Sequence, residues 1–86
     1  MSEQFISITV LLFGACREAA GTESLVNQLP APVDVAQAFA HLKQRIPQIE
    51  NFERSALFAV NEEHARPDQP LKDGDTLAIF PPVSGG

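Results

Sequence analysis

The sequence predicts an α+β fold, a mixed sheet of four to five strands with one main helix across one face. Three observations predict it. FISITVLLFG alternates apolar residues along its length, as a strand with one face on a core must. APVDVAQAFAHLKQRIPQIENF instead repeats its apolar residues at helical spacing. TLAIF is a last apolar strand, closed at once by Pro81 and Pro82.

In the first segment Ile6, Ile8, Val10 and Leu12 share one face, and Phe5, Ser7, Thr9, Leu11 and Phe13 share the other. The first face is wholly apolar; the second turns apolar only towards its end. ACREAAG then offers a short helical turn of good helix formers, stopped by Gly21. TESLVNQLP reads as a weaker strand with Leu25 and Leu29 inward, ending at Pro30. The helix follows, capped by Asp34, with Val35, Phe39, Leu42 and Ile46 in one stripe and Gln37, His41, Gln44 and Arg45 off it. Pro47 ends it at Ile46.

ALFAVN is a third strand, EHAR a short edge strand, and PDQPLKDGD a loop with a tight turn at Asp73-Gly74. In TLAIF, Leu77 and Ile79 share a face. The order is thus β, β, α, β, short β, β, with no internal repeat, linker or low-complexity segment. The first and last strands are the most apolar and belong at the centre of the sheet. A single apolar stripe lays the helix across one face, and the long helical crossover returns the chain in parallel. This is the β-grasp, or ubiquitin-like, architecture. It gives one domain over residues 1–80 and a projecting tail over residues 81–86.

Composition removes several classes of function. The chain has 86 residues, 44% of them hydrophobic, enough for one small core. Its net charge is −5, and its six basic residues are scattered singly among acids rather than gathered in a stripe. Nucleic acid is therefore not expected as a partner, whereas a protein with a basic surface is. The opening segment lacks a basic start and a cleavage pattern and is too short to span a bilayer. No membrane association is expected, and the cytoplasm is the expected compartment.

The body offers little chemistry. Cys16 is the only cysteine, so no internal disulfide, cysteine-built metal site or four-cysteine iron–sulfur cluster can form. Cys16 reads as a half-buried small residue. His41 falls on the solvent side of the helix and His64 in an exposed polar segment, a poor basis for a metal site. Glu62-Glu63 reads as a solvated turn and Asp73/Asp75 as loop-setting residues. The glycines at 14, 21 and 74 stand alone, without the spacing of a phosphate loop. No active site is expected beyond the chain end.

The end itself, FPPVSGG, is different. Pro81 and Pro82 stop the strand and stiffen an extended stem. From Pro81 to Gly86 an extended chain reaches about 20 Å at roughly 3.3 Å per residue. Val83 offers an apolar anchor and Ser84 a polar one. Gly85 and Gly86 have no side chains, so they can enter a narrow channel and carry the terminal carboxylate to another protein's catalytic groups.

Together these residues resemble the small-subunit, sulfur-carrier family of molybdopterin synthase. The resemblance runs along nearly the whole chain: the opening strand to LLFGACREAAG with Arg17, Glu18 and Gly21, the capped helix, AVN, PLKDGD and FPPVSGG. The Gly-Gly end is shared by all ubiquitin-like carriers; DGD before a strand and PPVSGG are more specific. Cys16 and His64 depart from the residue types expected at their positions.

The resemblance implies that the Gly86 carboxylate is adenylated by an activating enzyme using ATP. A persulfide donor's sulfur then replaces AMP to leave a thiocarboxylate. The tail next enters the large subunit of the synthase and gives sulfur to cyclic pyranopterin monophosphate, twice for each dithiolene, within a heterotetramer. No cofactor is expected on this chain. Phe80, Pro81, Pro82, Val83 and Ser84 are the expected partner-binding residues, Phe80 being equally readable as core packing. Three alternatives remain: a carrier for thiamine or another sulfur metabolite, a ubiquitin-like modifier of lysines, and an interaction module with an idle tail.

Overall fold

Strand β1 (Phe5–Leu12) puts Ile8, Val10 and Leu12 into the core, as its alternation requires, in a computed structural model that describes residues 4–82. Helix α1 (Gly14–Ala20) follows and stops at Gly21, whose φ of 75° is the left-handed cap that glycine adopts without strain. Strand β2 (Ser24–Pro30) runs back antiparallel to β1, and α2 (Val35–Arg45) crosses the sheet. Strands β3 (Leu57–Val60), β4 (Glu63–Ala65) and β5 (Thr76–Phe80) complete it.

The five strands lie in the order β2-β1-β5-β3-β4, with β1 and β5 parallel and the other pairs antiparallel. This is the β-grasp arrangement, with the most apolar strands inside. Phe39 of α2 meets Phe58 of β3 edge to face at 5.8 Å, which ties helix to sheet.

Both ends of α2 follow from its sequence. Asp34 Oδ1 accepts the Gln37 N–H at 2.8 Å, and Gln37 Oε1 accepts the Asp34 N–H at 2.9 Å, a reciprocal cap on two orphan donors. After Arg45 the Ile46 N–H still donates to the Leu42 carbonyl, and Pro47 then opens a 3₁₀ segment, Pro47–Phe52. The sequence reading had no element there, because six residues are too few to show a period. Ile49 of that segment is nevertheless buried, and Phe52 packs against the core.

Two placements differ from expectation. Cys16 is wholly buried rather than half-buried, because α1 presses it into the core; that burial pushes its thiol up from the ordinary range. His41 is half-buried and lines a cleft with Pro30, Pro32 and Val33, so the α2 face called solvent-facing is partly covered by the loop before the helix. Asn27 points inward between Leu25 and Leu29 and accepts from Arg45 Nη1 at 3.2 Å. Arg45 also donates to the Val26 carbonyl at 3.3 Å and so covers part of the free edge of β2.

The acidic loop residues have structural work. Asp73 Oδ1 accepts the Ser7 N–H at 2.8 Å. Asp75 accepts the Lys72 N–H at 2.8 Å and the Asn61 amide at 2.9 Å, and Asn61 Oδ1 in turn accepts the Thr76 N–H at 3.0 Å. This lattice fixes the start of β5 against the β3–β4 turn.

Candidate docking face and tail root

The sheet has a second face, away from α2. Register places Leu11 beside Ala78, Ala78 beside Ala59, and Phe80 beside Leu57. Adjacent residues across a sheet point the same way, so these side chains form one surface. Leu57, opposite Phe80 in the register, is 43% exposed, and Phe13, stacked on Phe80, is 40% exposed, large values for apolar residues. His64 sits at the margin, opposite Ala59 on the edge strand.

Phe80 lies in this surface and not in the core. Its ring stacks on Phe13 with centroids 4.6 Å apart and planes within 9°. The Phe13 N–H donates to the Ile79 carbonyl at 3.1 Å, which locks the two strand ends side by side. One residue further, Pro81 lies over Gly14: a Cβ placed at Gly14 would come within 3.0 Å of the Pro81 ring. Gly14 takes a φ of 55° there, a conformation natural to glycine.

Of the expected site residues, Phe80, Pro81 and Pro82 are therefore gathered at one corner, with Pro81 half-buried and Pro82 exposed. Val83, Ser84, Gly85 and Gly86 lie outside the described residues. The sequence reading did not assign Phe13, Leu11, Leu57, Ala59 or Ala78 to a docking role. The signal was present in β1, whose outer face turns apolar just where Leu11 and Phe13 approach the last strand.

Cys16, His41 and His64 are not brought together: they sit in the core, in the α2 cleft and on the β4 edge. Among the described residues no three His, Cys, Asp or Glu side chains form a metal-binding group, and no helix is long and apolar enough to cross a membrane.

An apolar sheet face with β5 ending at its rim in Pro81 and Pro82 defines the class, a β-grasp protein with an unpartnered sheet face. Comparison with known proteins names the family. Residues 10–86 match the model of the ThiS family, and the chain belongs to that family. Among its relatives, the molybdopterin synthase sulfur carrier subunit of Dictyostelium discoideum is 40% identical over the full length of both chains. The protein of the same name from Chlamydomonas reinhardtii is 35% identical, over 94% of this chain and all of its own. Among solved structures, the small archaeal modifier protein SAMP1 of Haloferax volcanii superimposes with a TM-score of 0.83 at 29% identity, over 93% of this chain and 99% of its own.

Proposed function

We propose that this chain is the sulfur-carrier subunit of a molybdopterin synthase, acting through a thiocarboxylate at Gly86. The observation that carries the reading is the corner where β5 hands the chain to Pro81 at the rim of an open apolar face. The two molybdopterin synthase relatives carry the function in their names, and the name of a subunit fits a chain that leaves Phe13 and Leu57 exposed on one sheet face.

The division of labour follows from the side chains. In this reading, activation belongs to an adenylating enzyme that uses ATP; among the described residues Cys16, His41 and His64 lie apart from one another. A carboxylate is a poor electrophile; joined to AMP it becomes a mixed anhydride that the outer sulfur of a persulfide attacks, with AMP leaving. A second thiol then cleaves the resulting acyl disulfide, forming a disulfide with the donor cysteine and freeing the thiocarboxylate. The face around Phe13, Leu57 and Phe80 docks on the large subunit. The prolines direct the end into that subunit's active site, where the sulfur passes to cyclic pyranopterin monophosphate.

Intact mass tests this. Incubated with ATP, a sulfur donor and the matching activating enzyme, the chain is expected to gain the mass difference of one oxygen exchanged for sulfur. Deletion of Gly86 should abolish the gain while the thermal transition is kept. An unchanged mass, with an activating enzyme shown to be competent on another carrier, would overturn the reading. The likeness to SAMP1 favours one second reading, a modifier of lysines, whose mark would be higher-mass conjugates in place of a thiocarboxylate.

A further inference from the structure

Beside the tail root lies a cleft of about 320 Å³ that the sulfur chemistry leaves unused, lined by Leu11, Leu12, Phe13, Arg17, Glu23 and Ser24. Two of these are charged, with opposite signs, and both ride on fixed backbone. Burial of Cys16 pins α1 to the core and leaves its neighbour Arg17 on the exposed side. The Arg17 carbonyl accepts the Gly21 N–H at 2.9 Å, and the Glu23 carbonyl accepts the Leu12 N–H at 2.9 Å.

Both side chains are exposed, and neither pairs with another of the described residues. The ion pairs among the described residues are Lys43 with Glu53 and Arg66 with Asp68. Arg17 and Glu23 therefore stand, without an ion-pair partner among the described residues, at a cleft lined otherwise by Leu11, Leu12, Phe13 and Ser24. Phe13 belongs to the cleft and to the docking face alike, so a partner seated on that face also covers the cleft.

We propose that the cleft receives an extended segment of the large subunit that sets an acidic side chain against Arg17 and a basic one against Glu23. The proposal rests on the docking reading above and deepens it. The apolar face supplies area but little direction, since one apolar contact tolerates sliding against another. Two charges of opposite sign, held at fixed places beside it, admit one register and repel its reverse. A second copy of this chain is the poorer occupant, because at a net charge of −5 two copies repel each other.

The test is a charge swap. Affinity for the large subunit from the same genome is measured for the wild-type chain and for Arg17→Glu, Glu23→Arg and the double variant Arg17→Glu/Glu23→Arg. Melting curves confirm that each folds. The double variant keeps the net charge at −5, so general attraction is unchanged and only the pattern is reversed.

Each single change is expected to weaken binding about tenfold at low salt, and the double change at least as much. The losses should shrink near 1 M salt, where screening acts within about 3 Å. Wild-type affinity in the double variant would show that the two residues serve only each other and would overturn the proposal. So would all three variants binding within twofold of wild type. A wild-type chain that does not bind the large subunit would instead remove the docking reading beneath it.

Discussion

The two faces of this sheet are cut from the same strands, yet they differ in almost every physical respect. On the α2 side Val10, Leu77, Ile79 and Val60 are sealed under the helix. On the other side Leu11, Ala78, Phe80 and Leu57 occupy the intervening positions, with Leu57 and the adjoining Phe13 open to solvent. Strand alternation makes this division cheap, since every second residue can serve stability while its neighbours serve a partner. The two jobs are separable residue by residue, and substitutions on the two faces should fail in different ways.

The largest effect belongs to the sealed face. Ile79→Ala leaves a cavity in the central strand and should cost about 2–5 kcal/mol in denaturant unfolding. Against a total of roughly 5–15 kcal/mol for a small domain, that removes much of the stability. A variant that melts like wild type would break the distinction from the sealed side.

Phe80→Ala tests the open face. It should reduce large-subunit affinity by about thirtyfold or more, an effect of about 2 kcal/mol. Its cost to folding should stay near the 0.5–1.5 kcal/mol of one aromatic pair, since Phe13 is the main stacking partner lost. Binding titration and a melt on the same sample separate the two quantities. Unchanged affinity in a folded protein would break the comparison from the open side.

Asp34→Ala sharpens it. Loss of the reciprocal cap should cost about 1 kcal/mol of stability and nothing in affinity, because α2 lies behind the sheet. A titration that moved with the melt would mean that the open face feels the helix.

The smallest effect concerns Cys16. Burial raises its folded-state thiol above the unfolded one, so the stability linked to it is complete below the ordinary thiol range and falls as pH rises through it. Unfolding curves at mildly alkaline pH should show a loss that Cys16→Ala does not, and thiol reagents should label the native chain only as fast as it opens.

Much of this was legible in the sequence because it depends on local rules. The alternation in β1, the cap at Asp34 and the stop at Pro47 each act within a few residues. So does the exit at Pro81, and the structure has all four where they were expected. The docking face was only half legible. Phe80 could be named from its place before the prolines, but Phe13 and Leu57 join it through pairings that span most of the chain. His41 was misjudged for the same reason: helical spacing says which face a residue occupies, not which loop folds over it. Asn27 shares the inward face of Leu25 and Leu29, but its partner Arg45 is 18 residues away and strand alternation does not reveal it.

The position of β5 in the sheet has a mechanical consequence. The strand that leads into the tail is held between β1 and β3, hydrogen-bonded along both sides. A pull on the tail runs lengthwise down β5 and loads those bonds together in shear, whereas an edge strand would peel away one bond at a time. A load entering at Phe80 is therefore shared by both neighbouring strands at once, and the domain behind it resists unfolding.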